Sequence, residues 1–164
     1  MLLLKEGDYL VIRLSAVLYS VHAVFKRNAH ALGAFDVGYG VHALTDGYWV
    51  PSVKRDFPDM VDPRYDVLIP ALYYNDVSQT DFRLYAEAPE RPRIFALLRA
   101  AVPPADHPML TADELSQWRD EQFSFYEGPC PHDAPVRHVD TAYVERFIDR
   151  LVPMLDQIMR RYFP

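Results

Sequence analysis

Apolar residues recur every three to four positions over residues 16–32, which is the spacing of one face of an α-helix. The run GDYLVIRL, residues 7–14, is rich in apolar and β-branched side chains behind a Gly-Asp turn and predicts a strand. Ser15 suits the N-cap position, and Gly33 can adopt the left-handed conformation that ends many helices. We therefore predict a helix over residues 16–32, with a long strand through Tyr19 as the alternative.

Alternation of period two follows, which is typical of a strand with one small or polar face. We predict such a strand over residues 34–44 and a turn at Asp46-Gly47. Residues 65–74 and 81–88 are further strand candidates, and the polar stretch NDVSQT between them predicts a hairpin. A Pro/Asp-rich loop is expected around residues 56–66.

The second half of the chain is helical by its pattern. A short helix with Pro92 in its first turn is predicted around residues 91–100. The next helix begins at Thr111, because Thr111 and Glu114 have the spacing in which each side chain satisfies a free backbone N–H of the first turn. A long apolar stripe predicts a last helix capped by Asp140 and kinked at Pro153.

The resulting order, roughly β-α-β-loop-β-β-α-α-α, predicts an α+β fold. We expect a small, mostly antiparallel sheet with helices packed on one face and a long kinked C-terminal helix. The length of 164 residues fits a single domain over residues 1–164, and no internal repeat or linker interrupts it.

Composition narrows the functional classes. The single cysteine, Cys130, gives no sign of a disulfide framework, and the N-terminal MLLLKEGDYL lacks the basic region of a signal peptide. No apolar run is long enough to span a bilayer. The sequence therefore predicts a cytoplasmic protein with no membrane partner. Its aromatic content is high, with 11 Tyr, 9 Phe and 2 Trp, so some rings are expected to form a binding surface as well as the core.

Charge is unevenly distributed along the chain. Residues 105–133 carry seven acidic side chains against Arg119 alone, whereas the rest of the chain balances at sixteen acids and sixteen bases. An acidic chain without a stripe of lysine and arginine argues against nucleic acid as a partner and favours a basic protein.

One stretch, FSFYEGPCPHDAPVRHVD at residues 123–140, gathers residue types that bind metals or perform catalysis. Its spacing is not that of a structural zinc site, and its three prolines favour a stiff connector before the last helix. No nucleotide-binding, zinc-protease or hydrolase motif is present, so no cofactor is expected. The candidates for an enzymatic alternative, possibly metal-assisted, are Cys130, His132 and His138 with Asp133 or Asp140, and the separate residue His42.

The segment WRDEQFSFYE, residues 118–127, places rings beside carboxylates. Of these rings, Trp118 and Phe123 are expected in the core, but the segment has too many rings for one helix face to bury all of them. Exposed rings provide anchoring contacts at protein interfaces, and carboxylates steer a basic partner. The predicted partner-binding residues are Asp113, Glu114, Trp118, Asp120, Glu121, Phe125, Tyr126 and Glu127.

These features predict a non-enzymatic protein-binding domain. Bacterial immunity proteins and antitoxins include small acidic α+β proteins of this type, although that is an analogy of type and not of residues. The first hypothesis is therefore an inhibitor that occludes a basic toxin or enzyme. The alternatives are a small metal-assisted hydrolase or transferase, and a subunit whose rings form a homodimer interface.

Overall fold

A computed structural model describes residues 14–105 and 110–164, and the side chains within them from residue 19 onward. The strand predicted at residues 7–14 lies outside the described residues, except for Leu14, which begins the first helix.

The described part of the chain is mostly helical, with one small antiparallel ribbon. None of its helices combines the length and the apolar character needed to cross a membrane. The α+β prediction holds in this broad sense, whereas the kink at Pro153 and the packing of helices on one face of a sheet stay predictions. The elements are α1 (Leu14–Asn28), α2 (Ala34–Asp56), a short 3-10 helix (Pro58–Met60), β1 (Val61–Asp62), β2 (Val67–Leu68), α3 (Pro70–Glu87), α4 (Arg91–Ala100), α5 (Ala112–Glu127) and α6 (Thr141–Tyr162).

The first helix is shorter than predicted, because α1 ends at Asn28 and not at residue 32. Gly33 is not its left-handed C-cap. It has an extended backbone (φ −77°, ψ 169°) and precedes α2, where its N–H donates to the carboxylate of Asp36 at 3.0 Å. Gly33 is therefore the N-cap of α2, and its position soon after α1 does not mark a left-handed end of that helix.

The strand predicted over residues 34–44 and the turn at Asp46-Gly47 are wrong, since both lie inside α2. Gly40, Leu44 and Gly47 are buried at helical spacing on this element. Glycine at buried positions adds no apolar residue to the pattern, so the buried face of α2 shows no helical periodicity in the sequence. The alternation of apolar with small or polar residues remained and predicted a strand.

The strands predicted over residues 65–74 and 81–88, and the hairpin turn between them, are also wrong. Only Val67–Leu68 is a strand, paired antiparallel with Val61–Asp62 inside the stretch predicted as loop. Pro70 is the first residue of α3, a position where the missing N–H of proline is not needed.

The three helices predicted in the second half of the chain are present, and the kink at Pro153 stays a prediction. Pro92 lies in the first turn of α4. At the start of α5, Thr111 accepts from the N–H of Glu114 at 3.2 Å, and the Glu114 carboxylate accepts from the N–H of Thr111 at 2.8 Å. Asp140 accepts from the N–H of Tyr143 at 2.7 Å and so caps α6.

The chain divides into two compact units, residues 1–58 with 147–164 and residues 59–146. The expectation of a single domain stays a prediction. In the first unit the Phe25 ring packs edge-on against Phe163 at 5.2 Å, and Trp49 packs against Phe147 at 4.9 Å. A side chain at Gly40 would overlap the Phe25 ring, since an added Cβ would lie 2.5 Å from it.

The second unit carries all the predicted partner-binding residues and the Cys130 segment. Its buried side chains are not all apolar, since Asp76 and Thr80 on α3 are buried together with Met60, Phe123, Val139 and Tyr143.

Candidate functional site

The predicted partner-binding residues all belong to α5, and four of them form one exposed row. Glu114, Trp118, Glu121 and Phe125 follow one another at intervals of four, three and four residues, which places them on one face of a helix. Trp118 is 51% exposed and Phe125 is 41% exposed. Carboxylates and rings therefore alternate along this face, which we call the outer row.

The carboxylates of α5 differ in what they already contact. Glu127 forms an ion pair with Arg99 at 3.0 Å, and Asp120 forms one with Arg119 at 3.1 Å. Glu114 accepts hydrogen bonds from Thr111, which lower the pKa of its carboxyl group. Glu121 accepts from the neutral amide of Gln117 at 2.8 Å. Of the five, Asp113, Glu114 and Glu121 have no cationic partner among the described residues, so they are the charges best placed to meet a basic surface.

The other rings at the end of α5 join an aromatic cluster. Phe123 is buried, Tyr126 is half-buried, and Phe125 packs edge-on against Phe82 at 5.1 Å while keeping one side exposed. Tyr126 stacks on Tyr85 with centroids 5.0 Å apart. We call the six contacting rings the ring cluster: Phe82, Tyr85, Phe95, Phe123, Phe125 and Tyr126.

A residue that the sequence did not single out lies beside this cluster. Asp81 on α3 lines a cleft of about 280 Å³ together with Tyr85, Phe95 and Tyr126. Burial raises the pKa of Asp81 to about 6. Tyr126 has a raised pKa as well, mainly because of burial and further because of the negative charge of Asp81. The only sequence feature that distinguishes Asp81 is its position in a stretch rich in aromatic residues.

The connector, residues 128–140, is held against α3 through its backbone. The carboxylate of buried Asp76 accepts the N–H groups of Arg137, His138 and Val139 at 2.7 to 3.2 Å. The hydroxyl of Thr80 donates to the carbonyl of Val139 at 2.6 Å. The segment is thus a fixed part of the second unit, in agreement with its prediction as a connector.

Asp76 is a buried carboxylate, yet its pKa lies below the usual value. Burial alone would raise the pKa, because it penalises the charged form. The N–H groups of His138, Val139 and Arg137, with the amide of Asn75, outweigh that effect by donating hydrogen bonds to the ionised form. Asp76 is therefore a structural anion with its hydrogen bonds made.

The structure brings together two of the candidates for enzymatic chemistry and separates a third from them. Cys130 and His132 line one cleft of about 560 Å³, which Arg83 also lines. His138 does not line it, and its imidazole lies 2.9 Å from the carboxylate of Asp59. Asp140 lines the cleft but already caps α6.

His42 lies on α2 in the first unit. Its imidazole is 3.4 Å from the carboxylate of Asp46, one helical turn away, and both side chains are mostly exposed. Within residues 14–105 and 110–164, no three His, Cys, Asp or Glu side chains are arranged to hold a metal ion.

No protein-family model, curated protein or solved structure matches this chain. Function therefore has to be argued from the geometry and chemistry of the surfaces described above.

Proposed function

We propose that this chain is a non-enzymatic, cytoplasmic protein-binding domain, an inhibitor of the immunity or antitoxin type that covers a basic partner enzyme. The observation that carries the proposal is the outer row of α5, where the exposed rings of Trp118 and Phe125 alternate with Glu114 and Glu121. Large exposed rings are the residues that most often dominate binding energy at protein interfaces. The flanking carboxylates supply the attraction for a basic surface and set its register.

The acids without a cationic partner define the polarity of that surface. Asp113, Glu114 and Glu121 are exposed, whereas Asp120 and Glu127 are paired within the chain. These three acids, two of them in the outer row, would attract a basic partner, and association should weaken with rising salt because exposed charges are screened.

The test is capture of a partner from the source cell, followed by a binding isotherm with the captured protein. Trp118→Ala should weaken binding at least roughly tenfold, because hot-spot rings typically contribute more than about 2 kcal/mol. Glu121→Lys should weaken partner binding more at low salt than at high salt. The matched controls are Tyr39→Ala, a ring exposed to 48% in the first unit, and Glu145→Lys on α6.

The proposal requires that the captured protein be basic and that both controls bind as the unaltered chain does. Capture of no basic partner, or equal binding by Trp118→Ala, would contradict it. If Trp118→Ala instead changes the elution volume of the purified protein on size exclusion, the rings of α5 form a homodimer interface.

A second candidate is a metal-assisted hydrolase or transferase, favoured by the cleft that Cys130 and His132 share with Arg83. Elemental analysis of protein purified without chelator tests it, with Cys130→Ala and His132→Ala as variants. Stoichiometric metal lost in both variants would support this candidate over the inhibitor, and metal-free protein would speak against it.

A further inference from the structure

The cleft beside the ring cluster has a composition that suits a cation. It is lined by Asp81, by the rings of Tyr85, Phe95 and Tyr126, and by Arg91. Because the ring of Tyr126 contacts that of Phe125 in the outer row, with centroids 5.2 Å apart, the cleft adjoins the surface proposed for partner binding.

The carboxylate of Asp81 has no ion-pair partner in the part of the chain that the structure describes. Among the residues that the structure describes, none donates a hydrogen bond to it or forms an ion pair with it, in contrast to Asp76 on the same helix. Carboxylates removed from water are normally paired with a cation or with several hydrogen-bond donors. At neutral pH the group is still mostly ionised, since its pKa is about 6.

The ring cluster already attracts cations from within the chain. The guanidinium of Arg91 lies over Tyr85, 4.9 Å from the ring centroid, and that of Arg99 lies over Phe123 at 4.5 Å. These contacts follow from the negative face of an aromatic ring, which is attractive to a positive charge. Neither arginine forms an ion pair with Asp81, because Arg91 donates to the carbonyl of Tyr85 and Arg99 pairs with Glu127.

The size of the cleft limits what can enter it. Its volume of about 280 Å³ lies just below the roughly 300–1,000 Å³ of pockets that hold whole small-molecule ligands. One long side chain fits this description better than a complete cofactor.

We infer that the cleft receives one lysine or arginine side chain of the basic partner, with the cationic end on the Asp81 carboxylate and the stem against Tyr85 and Tyr126. This inference rests on the proposed function and adds to it a specific anchor point. The outer row of α5 would supply the attraction over a broad surface, and the cleft would select a partner that presents a cation at the right place.

The probe for the cleft is n-butylammonium, which reproduces the end of a lysine side chain, with n-butanol as its uncharged counterpart. Backbone amide NMR shifts are followed for the unaltered chain, for Asp81→Asn and for the control Asp149→Asn, which removes an exposed acid of α6. We expect saturable shifts around Asp81, Tyr85 and Tyr126 with the ammonium. Asp81→Asn should weaken this binding at least tenfold, and Asp149→Asn should leave it unchanged.

Arg91 provides a second variant, because its positive charge lines the cleft and opposes another cation. Arg91→Gln should tighten n-butylammonium binding by about two- to threefold, as expected for removal of a partly screened like charge. Equal shifts with n-butanol, the absence of saturable shifts, or identical binding by Asp81→Asn would overturn the inference.

The partner isotherm separates this inference from the proposed function. If the partner loses affinity with Trp118→Ala but binds Asp81→Asn normally, the inhibitor proposal stands and the anchor is refuted. If Asp81→Asn weakens both the partner and n-butylammonium at least tenfold, the anchor is supported. If n-butylammonium binds but no basic partner is captured, both the proposed function and the role of the cleft in partner binding are refuted.

Discussion

Asp76 and Asp81 lie on the same helix, α3, yet their surroundings are opposite. Around Asp76, three backbone N–H groups and the amide of Asn75 donate to the carboxylate, and its pKa is lowered. Around Asp81, rings, apolar side chains and Arg91 line a cleft, no described residue donates to the carboxylate, and burial raises its pKa to about 6.

The comparison separates an acid that belongs to the fold from one that is open to a ligand. The hydrogen bonds of Asp76 are made within the chain, so its charge stabilises the connector. The carboxylate of Asp81 is shielded from much of the solvent, and no described residue donates a hydrogen bond to it. Ionisable groups with a pKa perturbed in this way are often found at functional sites. The predictions below test whether the charge of Asp76 stabilises the folded chain while that of Asp81 destabilises it.

The largest expected effect is that of Asp76→Ala. Three backbone N–H groups would lose their acceptor, that of Val139 buried and those of Arg137 and His138 partly buried. Since a buried group left unpaired costs about 1–3 kcal/mol and partly buried ones cost less, we expect a loss of roughly 2–3 kcal/mol in unfolding free energy. Urea unfolding at pH 7 measures it, with Asp133→Ala, an exposed acid of the connector, as the control. Equal stability of the two variants would show that these bonds do not hold the connector.

The pH dependence of that loss has a defined sign. A carboxyl group with a lowered folded pKa stabilises the protein fully above its unfolded pKa of about 4, and the contribution is lost as the pH falls through the lower folded pKa. The difference between the unaltered chain and Asp76→Ala should therefore shrink below about pH 4.

Asp81→Asn should have the opposite sign. A raised pKa means that the ionised carboxylate is unfavourable in the folded state, so removing its charge should stabilise the protein at pH 7 to 8. The full shift of about two pKa units would correspond to roughly 3 kcal/mol, and partial solvent exposure reduces our expectation to about 1 kcal/mol.

Urea unfolding across a pH series provides the measurement. The gain should fade as the pH falls from about 7 through about 4 and should be absent near about pH 3, where Asp81 is mostly protonated in both the folded and the unfolded chain. Destabilisation by Asp81→Asn at pH 8 would show that the carboxylate has a partner within the chain and would remove the contrast with Asp76.

A smaller effect is expected for Thr80→Val, which keeps the shape of the side chain but removes the hydroxyl that donates to Val139. The loss should be about 1 kcal/mol, since a typical hydrogen bond contributes about that much and the site is buried. Thr45→Val is the matched control: its hydroxyl donates to Val41 one turn earlier within α2, and its loss leaves the helix bonding intact. Similar losses in both variants would argue against a special role for the connector contacts.

The elements that sequence pattern predicted correctly are those whose signals are local. The hydrogen bonds between Thr111 and Glu114 at the start of α5 depend on residues three apart, and the cap by Asp140 on the first turn of α6 is equally local. The burial of Phe123 agrees with its prediction as a core ring, whereas Trp118, which was also expected in the core, is 51% exposed.

The errors arise where tertiary contacts place unexpected residues in the interior. On α2 the buried positions include Gly40, which has no side chain because the Phe25 ring occupies that space. On α3 they include Asp76 and Thr80, polar residues whose partners come from about sixty positions later in the chain. Neither helix shows the apolar stripe on which periodicity depends, and Asp81 could not be recognised without the rings around it.

The way α3 holds the connector has a consequence for how this segment can change over evolution. Its contacts with Asp76 and Thr80 use the backbone atoms of residues 137–139, and Asn75 and Gln79 donate to the carbonyl of Ala134. Side-chain identity at the exposed positions is therefore under little constraint, whereas segment length is fixed, because a deletion would move every donor and acceptor out of register. Homologues of this protein should therefore keep the number of residues between positions 134 and 139, while the amino acids at the exposed positions vary.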